Sequence, residues 1–88
     1  MSGPIDFYVS ATCPYCMMAK RLLDDKGLSY NVIMVDNDMA KRREMEERAG
    51  RTSVPQIFFG ERHIGGFDDL SELDIDGELD KLIESGWS

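Results

Sequence analysis

Residues 5–9, IDFYV, alternate apolar and polar side chains and are rich in β-formers, which predicts a strand. The period then changes. In YCMMAKRLLDDKG, Cys16, Ala19 and Leu23 fall on one side with Leu22 beside them, and Lys26-Gly27 closes the pattern as a helix C-terminus does. Pro14 suits the first helical position, because the N–H it lacks would be unpaired there. Residues 29–35, SYNVIMV, are apolar at consecutive positions, so this second strand is expected to be covered on both faces. A second helix is predicted from about Asp38 to Ala49, with Gly50 as its stop. Its apolar stripe is thin (Met39, Met45, Ala49), and Glu44 with Arg48 at i, i+4 spacing points to an exposed, ion-paired face.

The runs PQIFF and RHIGG, separated by Gly60-Glu61, read as a hairpin, with His63 expected as an exposed strand residue. The remainder places apolar residues at Phe67, Leu70 and Leu73, then Leu79, Leu82 and Ile83, which predicts one or two amphipathic helices with Gly77 as the break. Trp87 follows, and its packing cannot be read from the pattern. The order β-α-β-α-β-β-α makes this an α/β chain. Its first strand–helix–strand is a right-handed parallel crossover, and the hairpin adds antiparallel strands to the same sheet, with helices on both faces. No linker or internal repeat divides residues 1–88, so a single domain is expected.

Composition narrows the possible partners. Hydrophobic residues at 42% and charged residues at 31% fit a globular chain. The longest aliphatic-plus-methionine run, Val32 to Val35, is far too short to cross a bilayer, so no membrane partner is expected. The start, MSGPIDFYV, lacks a basic region followed by an apolar core, which leaves a reducing cytoplasm as the expected location. Residues 1–60 carry eight Lys/Arg and eight Asp/Glu; residues 61–88 carry two basic and nine acidic residues, the whole of the net charge of −7. No nucleic-acid partner bound through a basic surface is therefore expected. The acidic tail reads either as a solvated face that keeps a small chain in solution or, more sharply, as a surface that repels acidic partners and selects basic ones. No long apolar edge is evident, so a monomer is expected.

The chain has two cysteines, Cys13 and Cys16, in ATCPYC. A closed zinc site needs four ligands, and these two with the lone His63 supply three at most, so no metal site is expected. A permanent disulfide between them would close too short a loop to constrain the unfolded chain. A CxxC pair at the start of a helix, directly after a strand in a βαβ unit, is instead the pattern of thiol–disulfide exchange. At that position unpaired backbone N–H groups and the helix dipole converge on the sulfur of Cys13 and favour the nucleophilic thiolate. Cys16, one turn further in, is placed to attack that sulfur while being more buried and less reactive.

TCPYC at 12–16, SVPQIFF at 53–59 and HIGGFDDL at 63–70 together resemble the glutaredoxins of the dithiol class, over nearly the whole chain from Ile5 to Leu82. The resemblance implies a thioredoxin-like fold, a central four-stranded mixed sheet flanked by helices. It implies an enzyme that uses glutathione as reductant co-substrate, with no permanently bound cofactor, and acts on glutathionylated or disulfide-containing proteins. Cys13 corresponds to the nucleophile and Cys16 to the resolving thiol. Ser53, Val54 and Pro55 correspond to the cis-proline segment, where the backbone of Val54 pairs with that of glutathione. Tyr15 would lie against glutathione's glycine end. Gly65 and Gly66 let the chain pass close to the ligand, the helix start at Phe67 receives the γ-glutamyl carboxylate, and Asp68 or Asp69 holds the ammonium group.

The resemblance also raises alternatives. Some glutaredoxins carry a [2Fe–2S] cluster between two chains on one cysteine from each and two glutathiones; Pro14 argues against this, since such members tend to have a small, flexible residue there. A redoxin dedicated to ribonucleotide reductase would show a different inter-cysteine pair and a C-terminal tail that this chain lacks. Two departures stand out. Ser10 occupies a position where many glutaredoxins have lysine, and Glu46 and Glu47 stand where a neutral or basic residue is common, although Arg48 and Arg51 remain. Both weaken the positive field that attracts glutathione, a net anion. A weaker affinity for glutathione than is usual in the family is therefore expected, and replacing Ser10 with lysine is expected to raise turnover with glutathione. Steady-state kinetics with no gain in turnover would count against this reading.

Overall fold

The alternation of residues 5–9 is realised as β1 (Ile5–Val9), whose two faces serve two different cores. The computed structural model describes residues 3–87. β1 lies inside a four-stranded sheet of order β2-β1-β3-β4, formed with β2 (Asn31–Met34), β3 (Gln56–Phe59) and β4 (Arg62–Gly65). β2 runs parallel to β1, with Phe7 opposite Val32, while β3 pairs antiparallel with β1 and β4 with β3. The mixed sheet expected from the sequence is present.

Ile5, Phe7 and Val9 point to one face. There they pack with Cys16, Ala19 and Leu23 of α1 (Pro14–Asp25), Leu70 of α3 (Phe67–Ile75) and Leu79 of α4 (Glu78–Ser85). The tail does form two helices, and Gly77 between them takes the left-handed conformation (φ 78°) that favours glycine. Lys26, just beyond α1, bridges Asp74 at 2.7 Å and Asp80 at 2.9 Å, which ties the end of α1 to both tail helices. Trp87 is buried. Its ring lies 4.7 Å from that of Phe59, its indole N–H donates to the Pro4 carbonyl at 3.3 Å, and its own carbonyl accepts from Gly3 N–H at 2.7 Å.

Tyr8 points to the other face, under α2 (Met39–Ala49), and forms a second cluster with Val35, Met45 and Phe58. Asp38 caps this helix by accepting from Lys41 N–H, and Gly50 ends it at φ 67°. Glu44 and Arg48 stay substantially exposed, as expected, but no ion pair joins them among the described residues. Both side chains turn to the sheet and meet at the Tyr8 hydroxyl, which donates to Glu44 at 2.6 Å and accepts from Arg48 at 2.7 Å. Arg48 also donates to Asp6 at 3.0 Å and lays its guanidinium 4.0 Å from the centre of the Phe58 ring. A helix with one buried apolar side chain, Met45, thus docks largely through the flat face and stem of an arginine.

The expectation for β2 also needs correction. It is shorter than the 29–35 run and it is an edge strand, with Val32 51% and Met34 43% exposed. The crossover places it outside β1, and α2 is anchored over Tyr8 and Phe58 further into the sheet, so only Ile33 and Val35 are covered. Among the described residues no helix is long and apolar enough to cross a membrane.

Trp87 joins the chain's last turn to β3 and to the segment before β1. Trp87→Ala is expected to cost about 3 kcal/mol, the usual cost of removing a large buried aromatic. Urea denaturation should show a lower midpoint at an unchanged slope; an unchanged midpoint would mean the tail packs independently of the core.

Candidate active site

Cys13 caps the helix that follows it. Its backbone is extended (φ −95°, ψ 113°), Pro14 takes the first helical position, and the Cys16 N–H donates to the Cys13 sulfur at 3.3 Å. An N-terminal N–H that would otherwise go unpaired is thereby aimed at the sulfur. The Cys13 thiol in turn donates to the Val54 carbonyl at 3.6 Å. Cys13 is half-buried and Cys16 buried, and both are free thiols. Burial pushes the Cys16 thiol up to about 12, with the adjacent Cys13 and the charge of Asp36 adding to the rise and a backbone hydrogen bond from Ser10 opposing it. At neutral pH Cys16 is therefore held as the thiol.

The loop that presents Cys13 is held from β2's end of the sheet. Asp36 accepts from the Ser10 hydroxyl and from Ala11 N–H, each at 2.7 Å. The Ala11 amide above all, with the Ser10 hydroxyl, keeps the Asp36 carboxyl below its ordinary value. Ser10, at the position where a lysine would add charge, is therefore a link in this clamp.

Beside the cysteines lies an open groove of about 170 Å³, lined by Tyr15, Arg51, Ser53, Val54, Pro55, Gly66, Phe67, Asp68 and Asp69. The Val54–Pro55 bond is cis. Tyr15 is exposed, with its ring 6.4 Å from that of Phe67. At the head of α3 the chain passes close to its own neighbours. A Cβ on Gly66 would stand 3.3 Å from the Pro55 carbonyl, and one on Gly65, at φ 116°, would overlap the Asp69 carboxylate. Asp69 accepts from Gly66 N–H at 3.0 Å and pairs with Arg51 at 2.9 Å. The Arg51 hydrogen bond foremost, then that of Gly66, holds its carboxyl below the usual range. Asp68 stands exposed at the groove's edge.

Cys13, Cys16, Tyr15, Ser53, Val54, Pro55, Gly66, Phe67, Asp68 and Asp69 are brought together around this groove. Arg51, read from the sequence only as part of the positive field, lines the groove directly after Gly50. Asp36 was not singled out and has no sequence signal, because its partners lie 25 and 26 positions away.

The profile of the glutaredoxin family matches residues 5–64. The chain belongs to the glutaredoxin family. Glutaredoxin 3 of Escherichia coli K12 is 51% identical over 80 residues, covering 91% of this chain and 96% of its own. Among solved structures, the solution structure of a Brucella melitensis glutaredoxin is 42% identical, with a TM-score of 0.84 and coverage of 99% of this chain and 95% of that one. The crystal structure of a buckwheat glutaredoxin–glutathione complex is 30% identical, with a TM-score of 0.84 over 93% of this chain and 77% of that one. Membership makes this glutaredoxin a glutathione-dependent thiol oxidoreductase, with the CPYC pair at 13–16.

The different burial of the two thiols generates a chemical expectation. Iodoacetamide at pH 7 should add one group per native molecule, on Cys13, with Cys16 modified only after unfolding. Peptide mass mapping that finds both alkylated at similar rates would refute the asymmetry.

Proposed function

We propose that this glutaredoxin reduces protein–glutathione mixed disulfides and protein disulfides, with Cys13 as nucleophile and Cys16 as resolving thiol. The observation that carries this is a half-exposed sulfur at the head of α1, held by the Cys16 amide and set against the Val54 carbonyl on the wall of the groove.

In the first reaction the Cys13 thiolate attacks the glutathionyl sulfur of the substrate. The substrate's sulfur leaves with the bonding electrons and takes up a proton, and Cys13 is now joined to glutathione. A second glutathione, as thiolate, attacks the glutathione sulfur of that disulfide. Oxidised glutathione departs and Cys13 leaves as thiolate. With a protein disulfide, Cys16 instead loses its proton and attacks the Cys13 sulfur of the mixed disulfide, so that the enzyme ends with a Cys13–Cys16 bond that two glutathiones reduce. Members of the family have potentials of roughly −200 to −230 mV, near the glutathione pool, so concentrations decide the direction.

The groove suits the tripeptide end to end. Loss of the Cys13 proton frees the Val54 carbonyl, which together with the Val54 N–H can pair with the ligand's backbone. Tyr15 and Arg51 would meet the glycine end, and the first N–H groups of α3, near Phe67, the γ-glutamyl carboxylate. Asp69 is engaged by Arg51 and Gly66, so exposed Asp68 is the better acceptor for the ammonium group. The buckwheat complex supports a glutathione site on this fold.

Cys16→Ser is expected to retain mixed-disulfide reduction and to lose dithiol reduction of protein disulfides, while Cys13→Ser loses both. Assays with a glutathionylated peptide and with a disulfide-bonded protein, each coupled to glutathione reductase, separate the cases. Equal loss of both activities in Cys16→Ser would overturn the division of roles.

A further inference from the structure

His63 was expected to be an exposed strand residue, but it is half-buried and engaged. Its ring stacks on Phe58 at 4.7 Å and 26°, and its Nε2 lies 2.7 Å from the side-chain oxygen of Gln56. Gln56 is fully buried at the start of β3, directly after Pro55. Its amide nitrogen donates to the Ser53 carbonyl at 3.0 Å and to the Ser53 hydroxyl at 3.4 Å. We infer that His63, acting through Gln56, is a positioning residue that aims the Val54 N–H into the groove.

The direction of each bond follows from what each atom can do. The Ser53 carbonyl is an acceptor only, so the Gln56 nitrogen must face it; the reversed amide would set two oxygens together. The Gln56 oxygen therefore faces His63, and His63 Nε2 must carry the proton it donates. Burial chiefly, with nearby Arg51 and Arg48, holds the His63 ring below its usual value against the opposing pull of Asp69, so its single proton at neutral pH is the one committed to Gln56. A ring stacked on Phe58 cannot turn freely. Its hydrogen bond then denies Gln56 the freedom to rotate.

The Ser53 carbonyl and the Val54 N–H belong to one planar peptide unit, and this bond is trans, the cis bond being the next one, Val54–Pro55. In a trans unit the C=O and N–H point in opposite directions. Gln56 grips the carbonyl from the buried side and so turns the N–H outward. Residues 51–53 lie outside any helix or strand, and no ladder bond does this work for them. An unpaired Gln56 oxygen would let the peptide plane tilt and spoil a ligand contact some distance from His63 itself.

This role presupposes that the groove binds glutathione, as proposed above. His63→Phe keeps the stacked ring and removes the donor. It is expected to raise the KM for a glutathionylated peptide by about 3- to 10-fold, the range of one net hydrogen bond, with kcat at saturating peptide and the Cys13 alkylation rate both within about twofold of wild type. His63→Gln, which can place a nitrogen where Nε2 stood, should restore the KM. Gln56→Met should raise it as His63→Phe does, and the double variant should be no worse than either single one.

A wild-type KM in His63→Phe, whatever the change in its melting temperature, would overturn the relay, as would additive effects in the double variant. Should His63→Phe fail to fold, His63→Asn decides the point, because its shorter side chain cannot reach. A wild-type KM there refutes the relay, and a raised KM beside a normal one in His63→Gln supports it. Wild-type enzyme that shows no saturation by the glutathionylated peptide would overturn the reading of the groove and the relay with it, whereas a saturable wild type matched by His63→Phe overturns the relay alone.

Discussion

The hydrogen bond from the Cys16 amide to the Cys13 sulfur joins two requirements that usually compete. A helix start needs its free N–H groups satisfied, and a nucleophile needs an acceptor atom that stays accessible. Here the sulfur is the cap. Placing it there requires β1 to stop at Val9, a turn of three residues to follow, and Pro14 to set the first helical residue. The Asp36 clamp on Ser10 and Ala11 holds that turn, and the Val54 carbonyl limits the sulfur from the other side. The rest of the fold supplies rigid ground for these few contacts.

The two faces of the sheet provide that ground by different means. On one, α1, α3 and α4 bury aliphatic and aromatic side chains in a core that runs from Ile5 to Trp87. On the other, α2 has little apolar surface to offer, and its attachment is polar: Tyr8, Glu44, Arg48 and Asp6 satisfy one another while the arginine covers Phe58. Burial raises the Tyr8 hydroxyl above its ordinary value, consistent with a neutral phenol serving as both donor and acceptor. Such a network depends on direction as much as on area, so it fixes α2, and with it the segment Gly50 to Ser53, in one orientation.

What could be read from the sequence was local. The period of Cys16, Ala19 and Leu23, the glycines after α2 and between α3 and α4, and the cysteine spacing each announce themselves within a few residues. The lining of the groove was readable because SVP and GGFDD are contiguous motifs. The unread parts depend on distant partners. Consecutive apolar residues in β2 look the same whether a strand is central or at the edge, and only the sheet order decides. Glu44 and Arg48 satisfy a surface pattern that the Tyr8 hydroxyl, 36 positions from Glu44, overrides. His63 looked like an ordinary strand residue because Gln56 gives no sign in the sequence that its oxygen needs a donor.

The depth of Cys16 sets the two sulfurs of one motif apart. Cys13 is half-buried at the rim of the groove, whereas Cys16 lies in the core with Ala19 and Leu23, where burial holds its proton more firmly than an ordinary thiol does. On the proposed division of roles, the internal thiol must shed that proton before it can compete with external glutathione for the Cys13 adduct.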